Sequence, residues 1–298
     1  MFRNIRFYRV KSSWPKTEAD LSEQLTQLAF KPCGPYSEMS SGWEAPASEQ
    51  PELLCRRLNG ADLLRLRSQT RVLPAAAINE ALTERLEDYE ARMGERPSAK
   101  QKRRLKAELR EELLPKALVK SDRINGFYLH ASGILGIEAA SEPKAERFLD
   151  CLRAGFSGLE AVPLLFNKPV SDWLNAIFLG GVPDNFKLGS ECKMQEPTLG
   201  GAVVNWKDIE LADSSVRKHV IDGMRVERLG LEFDDIMSAV LDQNGGISKL
   251  KFVGGDAAAE LETSDESMLA RQDAEFVLLT GTITRFLDEL KKTLNGYS

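Results

Sequence analysis

The sequence predicts an α+β protein in which mixed or antiparallel sheets carry separate helices and one helical hairpin protrudes as a tip. Three observations predict it. Short runs rich in β-branched and aromatic residues recur between Gly, Asn and Pro punctuation. Helical-period runs stand apart from these strands and do not alternate with them as in a βαβ chain. The stretch between Pro74 and Pro115 is helical in period, heavily charged and only narrowly apolar.

Each element has a local reason. Residues 2–10, with Phe, Ile, Tyr and Val, read as a strand. Thr17 is an N-cap candidate with Asp20 three residues on, and Leu21, Leu25 and Leu28 repeat at helical spacing, so a helix is predicted over 18–29. Pro, Gly and Ser mark 31–51 as loop. Asn59-Gly60 favours the positive backbone angles of a type I′ turn and predicts a hairpin between 53–58 and 61–66. Pro74 opens a helix with Ile78, Leu82, Leu86 and Tyr89 on one face, and Met93-Gly94 breaks it. Pro97 restarts a helix carrying Leu105, Leu109 and Leu113, which Pro115 stops. Further strands are predicted at 123–130, 133–139 and 159–166, with helices at 142–154 and from Ser171 to Phe178. Gly180, Gly181 and Pro183 mark a boundary. Strands follow at 186–195, 201–207, 224–233, 235–241 and 247–253, with a short helix at 213–222. Asn244-Gly245 is a second hairpin signal. The acidic stretch 256–266 reads as an exposed loop. Ser267 to Leu294 reads as one long helix, with Thr280-Gly281-Thr282 as a point of interruption.

The 298 residues are 42% hydrophobic and 29% charged, a balance that fits a folded chain with ample length for a core and excludes wholesale disorder. No apolar run is long enough to span a bilayer. The first six residues lack an apolar stretch and predict no secretory signal. Cys33, Cys55, Cys151 and Cys192 lie far apart without a CxxC pair, which predicts reduced thiols in a cytoplasm. The formal net charge of -5 argues against a polyanion partner until it is read along the chain. Residues 1–123 carry 23 basic and 18 acidic side chains, 124–207 carry 7 and 9, and 208–298 carry 10 and 18. Between Met1 and Thr17 stand Arg3, Arg6, Arg9, Lys11 and Lys16 without an acid. Between Lys100 and Lys106 stand Lys100, Lys102, Arg103, Arg104 and Lys106, again without one. A polyanion feels charge within a Debye length of about 8–10 Å, so a nucleic-acid surface is compatible with the acidic total. The plain alternative is that both runs are solvated faces.

Familiar catalytic signatures are missing. The chain has no GxxxxGK[ST] loop, no GxGxxG after a strand and no GxSxG elbow. His130 and His219 stand alone in sequence, so a zinc or His-based acid/base site would have to be assembled across the fold, and an ordinary structural or exposed role is expected for each. Asp234-Asp235 would point to opposite faces of a strand and makes a poor dyad. One pattern has nuclease outline: Asp184 after Pro183, then Glu191 and Lys193, the residue types that hold Mg²⁺ and activate water in PD-(D/E)xK enzymes. Glu191 and Lys193 would share one strand face. Three points in so charged a chain are a weak signal.

Ala29-Phe30-Lys31-Pro32-Cys33-Gly34, followed by Gly42-Trp43 and by Val72-Leu73-Pro74, resembles the N-terminal signature of the RdgC family of recombination-associated proteins. The similarity continues through Leu113-Leu114-Pro115-Lys116-Ala117-Leu118 and closes with Asp273-Ala274-Glu275-Phe276-Val277-Leu278-Leu279-Thr280-Gly281. It covers most of the chain and is lowest from Phe178 to Lys207, as in a divergent member. The resemblance implies a ring-forming homodimer that surrounds duplex DNA with little sequence preference, with single-stranded DNA as a second ligand. It further implies restraint of the recombinase RecA, a nucleoid location in the cytoplasm, no membrane, no catalysis and no cofactor.

On that resemblance residues 1–73 and 115–167 form a central domain, 74–114 the tip and 168–298 a base domain ending in the long helix. Lys116 matches a basic position of the family. Leu118 stands where relatives carry an aromatic that anchors the tip-side dimer contact. Lys207, within Asn205-Trp206-Lys207-Asp208-Ile209, falls in a stretch implicated in DNA contact. Together with the basic runs, this gives Arg3, Arg9, Lys100, Lys102, Arg103, Arg104, Lys106, Lys116 and Lys207 as DNA-binding candidates. Trp206 is expected to be buried. Two other readings stay open: a Mg²⁺-dependent nuclease using Asp184, Glu191 and Lys193, and a protein-interaction module without DNA binding.

Overall fold

A computed structural model describes residues 2–47, 49–156, 158–198, 200–253 and 268–298. Twelve strands form one sheet in the order β2-β4-β5-β6-β1-β12-β11-β10-β8-β9, with β3 on β4 and β7 on β1. In chain order they are β1 Ile5–Val10, β2 Met39–Trp43, β3 Cys55–Leu58, β4 Ala61–Val72, β5 Leu118–Leu129 and β6 Ile134–Glu138. The rest are β7 Ala161–Pro163, β8 Phe186–Gln195, β9 Val203–Trp206, β10 Arg225–Phe233, β11 Met237–Asp242 and β12 Ile247–Phe252. The helices are α1 Glu18–Thr26, α2 Ala75–Met93, α3 Ala99–Leu113, α4 Glu142–Gly155, α5 Val170–Phe178, α6 Ser214–Ile221 and α7 Met268–Thr293. The predicted α+β class therefore takes the form of a single sheet with antiparallel strand pairing. No helix of the described residues is long and apolar enough to cross a membrane.

Local chemistry places the elements. The Thr17 hydroxyl accepts from the Asp20 amide and starts α1. Asn59 and Gly60 both have positive φ, at 46° and 77°, which closes the β3–β4 hairpin as a type I′ turn. Gly94, at φ 71°, ends α2, and Ser98 with Gln101 makes a capping box for α3. The two helices run antiparallel: Lys106 donates to Asn79, and Gln101 donates to Tyr89. Only Ile78 of α2 and Leu109 of α3 are buried, so this pair contributes little to either core.

Two cores lie on opposite faces of the sheet. On one, α1 and α4 cover Leu64, Leu66, Ile124, Leu135 and Ile137. On the other, α5 and α7 cover Phe127, Leu229, Leu231, Phe233, Met237 and Ile247. Aromatic rings fill the space that two strand glycines leave. A Cβ on Gly126 would lie 2.4 Å from Cζ of Phe148, and one on Gly136 would lie 2.2 Å from Cζ of Phe127. Gly136→Ala is expected to cost about 1–3 kcal/mol through overpacking, measured by urea unfolding.

The N-terminal and C-terminal halves of the sheet meet at β1 and β12 through one register pair, Ile5 with Ile247, and a bond from the Leu250 amide to the Arg3 carbonyl at 2.9 Å. Helix α7 spans the seam. Its Asp273 is joined to Arg56 of β3 by a bidentate ion pair, and its Phe286 packs on Phe233 of β10.

Several expectations need correcting. The loop predicted over 31–51 contains β2. Gly42 hid it: a Cβ there would meet the Phe30 Cα at 2.6 Å, so the strand needs a glycine that propensity counts against it. Helix α1 stops at Thr26, β5 begins five residues early at Leu118, and β7 is only three residues long. The Asn244-Gly245 signal does mark a hairpin, between β11 and β12, in which the Asp242 carboxylate accepts from the amides of Asn244 and Gly246. Helix α7 runs unbroken through Gly281, where Leu279, Thr280, Thr282 and Ile283 are buried and the Thr280 and Thr284 hydroxyls donate to carbonyls at 276 and 280 within the helix. Asp234 and Asp235 lie in a turn, at φ 52° and 55°, and not on a strand. The acidic stretch 256–266 lies outside the described residues.

Candidate nucleic-acid interface

Residues directly opposite on paired strands share a face. Cys192, Leu229 and Leu241 pair across β8, β10 and β11 and point into the core beneath α5 and α7. Lys193 and Arg228, one residue along, therefore point the other way, and Asn205 of β9 sits opposite Lys193. On this solvent-facing side a cleft of about 370 Å³ is lined by Glu191, Lys193, Asn205, Lys207, Arg228 and Lys249. Two of its four cations are paired. Lys193 Nζ lies 2.5 Å from a Glu227 oxygen, and Lys249 Nζ lies 2.5 Å from a Glu191 oxygen. Lys207 and Arg228 are exposed and make no ion pair among the described residues.

Three irregularities aim these side chains. The β8–β10 register shifts at Glu227 and again across residues 189–191, and the β11–β12 register shifts beside Lys249. Lys249 has φ 54°, and its amide donates to Asn4. Bulges re-aim side chains and are common beside functional sites. Beneath the cleft, burial pushes the Cys192 thiol up to about 12, so it is no nucleophile at neutral pH. Trp206 is half-buried against the core, its ring 5.7 Å from that of His219.

The other predicted DNA residues are distributed over the molecule. Lys100, Lys102, Arg103, Arg104 and Lys106 are all exposed on α3, but they wrap around the helix. Lys106 bonds to Asn79 and Arg104 pairs with Glu108 at 3.3 Å. Lys100, Lys102 and Arg103 have no ion-pair partner among the described residues. Lys116 is exposed on the single 3-10 turn Leu114–Lys116. Arg71 holds that turn, donating to the carbonyls of Leu114, Pro115 and Ala117 and, from the same guanidinium, to Gly34 and Cys33. Leu118 follows and is 81% exposed, beside the exposed Val72 and Val119. Arg3 is exposed, while Arg9 donates to the Ser298 carbonyl at 3.3 Å. Arg9 and Ile5 are on the same face of β1, and Ile5 belongs to the core under α7, so Arg9 points away from the Lys207 side.

The nuclease trio is not assembled. Glu191 and Lys193 do share the cleft, but Asp184 is exposed in the loop before β8 and does not line it. No group of three His, Cys, Asp or Glu among the described residues is placed to hold a metal. His130 serves structure. Its Nε2 faces the buried Asp62 at 2.9 Å, and Asp62 also accepts from Trp14 and Arg57. That carboxylate raises the pKa of Arg57 through its hydrogen bond. Glu44 is held below the usual carboxylate range: burial would raise it, but Arg123 and Arg67 bond to it and outweigh burial.

Sequence reasoning missed Arg228 and Lys249, and read Lys193 only as part of a nuclease. Their one sequence signal is period 2, with Glu191 and Lys193 on β8 and Lys249 and Lys251 on β12, each too short to stand out.

Fold and site define an α+β protein whose base half carries a cationic, solvent-facing sheet surface. The chain belongs to the RdgC family, described as "Putative exonuclease, RdgC", which matches residues 1–297. It is similar to the recombination-associated protein RdgC of Pseudoalteromonas atlantica, 28% identical over 99% of this chain and 97% of the relative. The protein of the same name from Tolumonas auensis is 30% identical over 99% and 98%, and that from Stenotrophomonas maltophilia 33% identical over 95% and 94%.

Proposed function

We propose that this protein binds DNA without sequence preference, as a ring-shaped homodimer around the duplex, and restrains RecA-dependent recombination at the nucleoid without catalysing a reaction. The observation that carries the reading is the cleft on the C-terminal half of the sheet, where Lys207 and Arg228 are exposed and make no ion pair among the described residues. Nonspecific binding needs phosphate-neutralising cations and no base readers. Lys100, Lys102 and Arg103 on α3 add a second cationic surface. For self-association, Leu118 with Val72 opposite it offers an apolar contact at the end of the β4–β5 ribbon.

The test is retention on linear and circular DNA at rising salt. Threaded rings survive on circles and slide off linear ends; equal loss from both forms overturns the ring. Charge reversal at Lys102, Arg103 and Lys106 is expected to weaken binding, and unchanged affinity takes α3 out of the DNA surface. Glu191 and Lys193 in one cleft, with the family's exonuclease description, support a second reading. Linear duplex and closed plasmid incubated with protein and Mg²⁺ decide between them: degradation of either that is lost in Glu191→Gln establishes the nuclease.

A further inference from the structure

The cleft holds its own anions. Glu227 occupies Lys193 and Glu191 occupies Lys249, in both cases at 2.5 Å. Each pair includes residues at a register shift, Glu227 in one and both Glu191 and Lys249 in the other. Three bulges converging on two ion pairs mark them as built features of the sheet. In both pairs the carboxylate is the more buried partner. Side-chain exposure is 19% for Glu227 against 31% for Lys193, and 25% for Glu191 against 59% for Lys249. The ammonium ends can therefore swing outward while the carboxylates stay in the sheet surface.

We propose that Glu191 and Glu227 are resident competitors of DNA phosphate, which keep Lys249 and Lys193 occupied and hold the affinity of this face below what its four cations would give. The inference rests on the DNA-binding reading. A phosphate arriving at Lys249 must displace a carboxylate already there, so little net counterion is released. Only Lys207 and Arg228 then contribute their full share to the salt dependence. Such a face binds weakly and exchanges fast, which suits a surface that must move along DNA.

Each lysine freed from its carboxylate is expected to raise affinity about fivefold at ~0.15 M salt and to steepen the log–log salt slope by about one. The experiment is fluorescence anisotropy with a labelled duplex across a salt series. It compares wild type, Glu191→Gln/Glu227→Gln, and Asp288→Asn/Glu289→Gln, a control with the same change in net charge on α7, across the sheet from the cleft. The expected result is tighter binding and a steeper slope for the first pair alone. An equal gain in the control, or no gain in either, overturns the proposal while leaving DNA binding intact. Absence of binding by wild type at low salt overturns the DNA-binding reading itself. Should the glutamate variant fail to fold, Lys249→Met and Lys193→Met decide. A loss under about twofold for each supports the competitor role, and a loss of about fivefold for each overturns it.

Discussion

Reversing Lys207 and Arg228 to glutamate is expected to lower duplex affinity at least about a hundredfold at ~0.15 M salt and to flatten the salt slope by about two. These are the cleft cations that make no ion pair among the described residues, so phosphate reaches them without first displacing a bound carboxylate. Reversal also adds repulsion, and the neighbouring Glu191 and Glu227 would compound it. The measurement is anisotropy across a salt series, with the plain truncations Lys207→Met and Arg228→Met alongside. Truncations as damaging as reversals would point to a folding defect, which far-ultraviolet circular dichroism and thermal melting detect. An unchanged slope would move the DNA contact away from the base sheet.

The second large effect concerns stability. Asp62→Asn is expected to cost about 3–5 kcal/mol, because removing one partner of a buried pair strands the other. Asp62 is fully buried. Its carboxylate receives Arg57 through two nitrogens, Trp14 Nε1 at 2.8 Å and His130 Nε2 at 2.9 Å. Trp14 in turn stacks on Tyr128 at 4.0 Å and on Phe156 at 5.6 Å, so one charge pins the segment after β1, the β3–β4 hairpin and the end of α4. Asparagine keeps the size and loses the charge. Urea and thermal unfolding check the prediction, with an expected fall in Tm of about 10 °C. A loss under about 1 kcal/mol would mean that Arg57 is satisfied by the Lys16 and Pro15 carbonyls it already reaches.

What the sequence disclosed depended on whether the cause was local. Thr17, Asn59-Gly60, Gly94 and Ser98 act within four residues, and the elements they start or stop stand where expected. Strand β2 was illegible because its reason is tertiary: Gly42 lets the backbone of Phe30 pass against it. The candidate site divides the same way. The basic run on α3 is contiguous and could be seen, whereas the cleft draws one cation from each of four separate segments. Only the resemblance pointed to Lys207. The bulge at Glu191 has a glycine on each strand, Gly189 and Gly230, packed against one another, whereas the bulges at Glu227 and Lys249 have none at the shifted position and leave no residue signature.

The thin seam between β1 and β12 bears on how the chain is made. Strand β1 leaves the ribosome first, finds β6 and then β7, and is still open along its first residues when Pro163 has been added. Its remaining neighbour, β12, ends at Phe252. At the usual pace of synthesis, about 5–20 residues per second, the delay is roughly 5–20 s. During that time a folded central half presents an unsatisfied strand edge to every other nascent chain nearby. The edge is kept short, by β7 at one end and by Arg3 and Asn4 at the other. Arg3 and Asn4 place polar side chains at that end of the open edge until β12 joins it.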